Sequence, residues 1–117
     1  MGVQYSLINK TKKEKISYSH LPVGKLRELA GFPVSSAITT WYLLKNSGDE
    51  IGFLPDQGES PMKGINWEVV KNYSDVTEKV IDELIENGII EDNGVDIFDE
   101  EEPELYIRRL RNIWMET

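Results

Sequence analysis

Glu78, Asp82 and Glu86 recur every four residues, which places three carboxylates on one line of a helix about 12 Å long at 1.5 Å rise per residue. Asp92, Asp96, Asp99 and Glu100 follow shortly after in the chain. Carboxylates in such numbers can hold a hard cation, share the acid and base roles of sugar hydrolysis, or face the lysines and arginines of a partner. The cation reading has weak spacing: Gly94 follows only Asp92 and Asn93, unlike a calcium loop. Sugar hydrolysis needs a glycan cleft, for which a chain of 117 residues has little room. The partner reading is left with the widest support.

Other catalytic chemistries lack their residues. His20 is the single histidine, standing at a strand end before Leu21-Pro22, and a structural or solvent-facing role suits it better than catalysis. No Gly-x-Ser-x-Gly elbow accompanies it, so a nucleophile held by a histidine and a carboxylate is not expected. With no cysteine there is no disulfide, thiolate zinc site or cysteine nucleophile, and a zinc centre would need three carboxylates. Neither glycine-rich phosphate cradle is present. No catalytic residue, metal ligand or cofactor is assigned, and no small-molecule ligand is expected.

The charge is segregated along the chain. Between Asp49 and Glu104 there are 18 Asp and Glu against three Lys, while residues 1 to 48 and 105 to 117 are net basic; the whole chain carries −8. Such a block repels nucleic acid and anionic membrane surfaces and draws basic partners in at raised association rate. That favours binding over catalysis. The opening residues Met1 to Ser6 lack a charged segment followed by an apolar core, so no secretory leader is expected, and the weak acylation pattern at Gly2 and Ser6 is better read as the start of a buried strand. A cytosolic location is the expectation.

The elements that must position these residues form one domain over 1–117, of a size that buries roughly two-thirds of the surface its unfolded chain exposes. Val3 to Ile8 and Ile16 to Tyr18 read as a β-hairpin whose connecting lysines blunt its edges. Val23 to Ala30 reads as a short helix stopped by Gly31 and Pro33. A second helix runs from Ser35 or Ser36 to about Asn46, apolar nearly all round and hence placed mid-domain, with Trp41 in the core. Glu50 to Leu54 suggests a strand, followed by a loop from Pro55 that is long against the usual 4–6 residues, roughly. Trp67, just beyond that loop, can either anchor it or face a partner.

Ser74 or Asp75 caps the clearest helix, Val76 to Asn87, with Val76, Val80, Ile81, Leu84 and Ile85 as its apolar stripe and acids on the rest. A solvated helix gains nothing from the acidic line, since like charges four residues apart destabilise it slightly. Gly88 to Glu91 and Val95 to Phe98 suggest a hairpin turning at Asn93-Gly94. Pro103 and the preceding acids suit the first turn of a final helix, with Leu105, Tyr106, Ile107, Leu110, Ile113 and Trp114 on its core face. The fold class expected is α+β: a small antiparallel or mixed sheet packed against about four helices, two of them Val76 to Asn87 and Leu105 to Trp114.

Two resemblances follow from these features. A capped helix ending Leu84-Ile85-Glu86-Asn87-Gly88 and a hairpin after it resemble the recognition helix and wing of winged-helix DNA-binding domains. Phosphate neutralisation needs Lys and Arg where this helix carries Asp and Glu, so the shape would serve a protein partner or only the core. In its whole profile, being small, acidic, cysteine-free, mixed α/β and poor in motifs, the chain resembles the immunity proteins of contact-dependent growth inhibition and related polymorphic toxin systems. That resemblance implies a cognate basic toxin, a nuclease foremost, whose active or substrate-binding surface is occluded by an acidic face. Glu78, Asp82, Glu86, Asp92, Asp96, Asp99 and Glu100 would meet its cations and Trp67 would supply an apolar anchor. A non-catalytic adaptor that binds some other basic protein would use the same residues.

Overall fold

The computed structural model describes residues 3–114. Strand β1 (Tyr5–Asn9) and strand β2 (Glu14–Ile16) form the expected hairpin, with Leu7 opposite Ile16 and Asn9 opposite Glu14. Lys13 in its turn takes the left-handed φ of 57°. Strand β3 (Ile51–Pro55) pairs antiparallel with the other edge of β1, and the two-residue β4 (Ser74–Asp75) pairs parallel with β2, giving the order β3-β1-β2-β4. The sheet is therefore mixed.

Alternation along these strands gives the sheet two covered faces. Leu7 and Ile16, joined by Phe53, point to the larger core; Ile8 and Leu54, one residue away, point to the smaller. Helices α1 (Leu26–Gly31), α2 (Pro33–Lys45) and α4 (Thr77–Glu86) close the first face through Leu29, Ile38, Tyr42, Ile81 and Leu84. The short α3 (Trp67–Val70) closes the second with Ile65 and Val70. Four helices around a small sheet make this an α+β fold.

Helix α2 departs from the sequence expectation in two respects. Pro33 does not keep the chain out of helix but opens α2 at its first position, where a missing N–H costs nothing. Its apolar residues do not wrap a buried rod: Val34, Ile38 and Tyr42 face the core at spacings of four, while Leu44 is 71% exposed. Only one sheet face lies beneath the helix, so only one stripe can be buried. Trp41 is half-buried at the side, its Nε1 donating to Glu83 of α4 at 2.9 Å.

A polar network ties the helix to the sheet. Asn9 is fully buried, and its Nδ2 donates to the Tyr42 hydroxyl at 3.0 Å and to Asp49 at 2.9 Å, while its Oδ1 accepts from Lys12 N at 3.0 Å. Tyr42 donates in turn to Glu14 Oε1 at 2.7 Å. Burial, then the Glu14 carboxylate, push the Tyr42 hydroxyl pKa far above its ordinary value. The hydroxyl is therefore a donor to Glu14 at neutral pH.

Asp75 starts α4 from one residue outside the cap position held by Val76. Its Oδ1 accepts from Thr77 N at 3.0 Å and Thr77 Oγ1 at 2.6 Å, and its other oxygen accepts from Ser17 Oγ. Burial opposes the charge, but the hydrogen bonds from Ser17 and Thr77 outweigh it and hold the carboxyl below its usual 3.8. A depressed folded-state pKa stabilises the fold above about 4 and ceases to do so as pH falls through the folded value. Asp75→Asn is expected to cost about 1 kcal/mol at pH 7. In urea titrations its deficit against the parent chain should shrink as pH is lowered below 3.8. A deficit constant down to pH 3 would remove the charge from the account.

The last third of the chain differs most from expectation. Strand β5 (Ile90–Ile97) and strand β6 (Tyr106–Asn112) form a separate two-stranded antiparallel arm, and the segment expected as a final helix is β6. Asn93-Gly94 is no hairpin turn. It is a bulge inside β5, where two residues lie between Asp92↔Leu110 and Val95↔Arg108 against one on β6. Gly94, at φ 100°, supplies the left-handed residue, and its N–H donates to Asp92 Oδ1 at 2.9 Å. In the long ladder Asp96 and Ile97 pair with the β-branched Ile107 and the aromatic Tyr106, which a tight hairpin at Asn93-Gly94 would leave unpaired.

Candidate protein-interaction surface

Residues of β6 alternate between a face turned to the body and a face turned to solvent. Tyr106, Arg108, Leu110 and Asn112 point inward: Tyr106 stacks on the His20 ring at 3.8 Å, Leu110 enters the larger core, and Asn112 Nδ2 donates to Pro33 O at 3.2 Å. Backbone bonds from Arg108 N to His20 O at 2.7 Å and from Ile113 N to Ile89 O at 2.9 Å complete the root. His20 takes a left-handed φ of 65°, and its Nδ1 lies 3.0 Å from Tyr106 O. The single histidine thus holds the arm rather than a reacting group.

Arg108 is the electrostatic centre of this region. Its side chain is only 10% exposed, and its guanidinium donates to Glu78 on α4 and to Asp92 Oδ2 on β5, the latter at 2.8 Å. Burial disfavours its charge, but Asp92 and Glu78 outweigh that and raise its pKa, with Asp82 adding from further away. Asp92 is held below its ordinary value first by the Gly94 N–H and then by Arg108. Two of the expected contact residues, Glu78 and Asp92, are thereby committed to an internal brace. Asp96 is loosely paired as well, 3.5 Å from Arg109 Nε.

The remaining acids stay available. Asp82 and Glu86 are exposed on α4 and have no ion-pair partner among the described residues. Asp99, Glu100, Glu101, Glu102 and Glu104 are all exposed in the connection between β5 and β6, at the arm's end. Instead of neutralising the positive end of a helix, they form the turn of a ribbon: Asp99 Oδ1 accepts from Glu101 N at 2.9 Å and Asp99 O from Glu102 N at 3.0 Å. Among the described residues, no three acidic, histidine or cysteine side chains come together so as to hold a metal ion.

Beside this acidic turn lie apolar residues that the fold does not bury. Phe98 is 71% and Leu105 53% exposed, facing each other across the arm with Ile107 next along the same side. Val95 and Ile97 are exposed on the opposite side. Reading residues 105 to 114 as a helix hides this patch, because Leu105 and Ile107 are then counted as core. The usable signal is the two-residue alternation Tyr106, Arg108, Leu110, Asn112, which a buried arginine interrupts to the eye.

Trp67 belongs elsewhere. It opens α3, the helix that closes the second face of the sheet, and is itself 41% exposed; its Nε1 donates to Pro55 O at 2.9 Å, which ties it to the start of the loop after β3. The acids of α4 and the arm lie on the side of the first face. The structure therefore does not bring Trp67 to the acidic residues of α4 and the arm, and the large apolar side chain exposed beside the acidic turn is Phe98.

The arm also extends the molecule. The Cα radius of gyration is 14.6 Å, against about 13 Å for a compact chain of this length. Among the described residues no helix is long and apolar enough to cross a membrane. No family model, curated protein or solved structure matches the chain.

Proposed function

We propose that this chain is an immunity protein of a contact-dependent growth inhibition or related polymorphic toxin system, acting in the cytosol as a non-catalytic inhibitor. Its partner would be a basic toxin domain, a nuclease foremost. The observation that carries the reading is the projecting arm, which combines an apolar patch at Phe98 and Leu105 with a turn of five unneutralised acids. Protein interfaces have this composition: a central apolar anchor ringed by charged residues that set orientation and approach.

The mechanism is occlusion. Acids on the arm and at Asp82 and Glu86 stand where phosphates would lie in a basic substrate cleft, and their field accelerates encounter. Burial of Phe98 and Leu105 then slows dissociation, since apolar anchors act mainly on the off-rate. Arg108 limits the repulsion among the acids, so the surface can be strongly negative without splitting the arm from α4.

The test has two steps. The tagged chain is used to capture partners from its own organism, with elution by rising salt and identification by mass spectrometry, and the captured protein is then assayed with increasing amounts of the chain. A basic protein whose enzymatic activity falls to zero at one equivalent is the expected result. A basic partner that keeps full activity in the complex would replace inhibition with an adaptor role, and recovery of only abundant housekeeping proteins would count against both.

A further inference from the structure

An apolar groove of about 500 Å³, open to solvent along one side, lies between the sheet and the first two helices, on the flank of α2 away from α4. Tyr5 of β1 and Phe53 of β3 form its floor, their rings edge to face with centroids 6.2 Å apart. Leu26, Leu29 and Ala30 of α1 form one wall, and α2 forms the other with Thr40 at its rim. The cause is local: α1 has six residues, ends at Gly31 and turns through Phe32 into α2, so it is too short to lie across the sheet. Leu26 stays 66% exposed at the mouth instead of filling the space. The volume falls within the range of about 300–1,000 Å³ that small-molecule sites span.

The lining specifies the chemistry of an occupant. In a chain with 21 acidic and 13 basic residues, no charged side chain among the described residues lines this groove. Pressing an unpaired charge against so apolar a lining is disfavoured, so carboxylate, phosphate and ammonium groups do not suit it, whereas a neutral arylamine does. Two of the lining hydroxyls are already used: Ser36 Oγ donates to Ala30 O at 2.8 Å, and Thr39 Oγ1 donates to Ser35 O at 2.9 Å while meeting the Tyr18 hydroxyl. The Tyr5 and Thr40 hydroxyls have no hydrogen bond among the described residues. They offer one polar handle on the floor and one at the rim.

We propose that this groove is a binding site for an uncharged, mainly apolar small molecule, an aromatic or branched hydrocarbon skeleton carrying at most a hydroxyl, carbonyl or neutral arylamine group. This departs from the sequence reading, in which no small molecule is expected, because the lining residues are drawn from four separate elements and form no motif. The site is independent of the proposed toxin-binding surface. On α2, Ser36, Thr39 and Thr40 face this groove, whereas Trp41, Tyr42 and Lys45 face the one toward α4.

N-phenyl-1-naphthylamine, a neutral aromatic dye that brightens in apolar surroundings, is a suitable probe of the full chain. Saturable one-to-one binding is expected, with amide and methyl NMR shifts on titration confined to Leu29, Thr39, Thr40 and Phe53. Ala30→Phe and Thr40→Phe, which place a ring in the groove, should each weaken binding at least about tenfold and raise the melting temperature. Phe98→Ser on the arm should leave binding unchanged. Unsaturable binding, shifts centred on the arm, or affinity retained in both filling variants would overturn the proposal. So would a dimer in sedimentation that either filling variant dissociates, since a second copy would then be the occupant. The NMR titration uses the parent chain, so the test survives if a filling variant fails to fold.

Discussion

The double variant Asp82→Lys, Glu86→Lys is expected to bind the basic partner about 100-fold more weakly than the parent chain, with most of the loss in the association rate. Both residues are exposed on α4 and without an ion pair among the described residues, so their charge is available to a partner and their replacement leaves the core untouched. Glu78, on the same line, is a poor probe. It is bonded to Arg108, and reversing it would set two cations against each other at the base of the arm. The effect should fade as salt rises, because charges at an exposed rim are screened beyond about 10 Å at 0.1 M ionic strength. Trp67→Ala supplies the control: the residue belongs to α3, on the other side of the sheet from α4, and affinity should stay within about twofold. Stopped-flow association of the purified pair reads both variants. An unchanged rate in the double variant would remove α4 from the contact surface and leave the arm alone to account for it.

The contrast between α4 and the arm shows where the sequence is legible and where it is not. Helix α4 has a stripe at Val80, Ile81 and Leu84 with acids elsewhere, and this periodicity has a single reading because the whole apolar side is buried. The hairpin of β1 and β2 is legible for a similar reason, its β-branched runs ending in turn residues. In the arm each local signal points to the wrong partner. Asn93-Gly94 is the favoured pair for a tight hairpin, yet a bulge needs a left-handed glycine just as much. Acids before Pro103 suit a helix start, yet five exposed acids in a turn have no competing demand from packing. What decides between these readings is contact far along the chain: His20 against Tyr106, Pro33 against Asn112, Glu78 against Arg108. Such contacts leave no local trace. The candidate surface shares this limit, since the exposed acids can be read from composition, but the residues that neutralise some of them, and the exposure of Phe98, follow from the fold.

Arg108→Met is expected to destabilise the chain by about 2 kcal/mol. The value lies between the 0–1 kcal/mol or so of a surface pair and the 3–5 kcal/mol or so lost when a fully buried pair is broken, because the guanidinium is nearly buried while Glu78 and Asp92 are about half exposed. Methionine keeps much of the stem, so the loss reports the charge and its hydrogen bonds rather than a cavity. A two-stranded ribbon alone is marginal in water, and beyond Leu110 this one rests on the body only through Arg108 and the His20 contacts, while Val95, Ile97, Phe98 and Leu105 are all exposed. Amide exchange at residues 92–97 and 106–109 should accelerate far more than at Ile38 or Ile81, which belong to the core. Partner binding should weaken with it, since a loosened arm must be ordered on docking. Uniform acceleration across the whole chain would instead make Arg108 part of the global folding unit. A cost below about 0.5 kcal/mol would mean that Leu110, Ile90 and the His20 stack hold the arm by themselves. The brace therefore connects the two parts of the surface: the same arginine that removes Glu78 and Asp92 from a partner's reach keeps the five acids of the turn and the Phe98 patch in a fixed orientation beside α4.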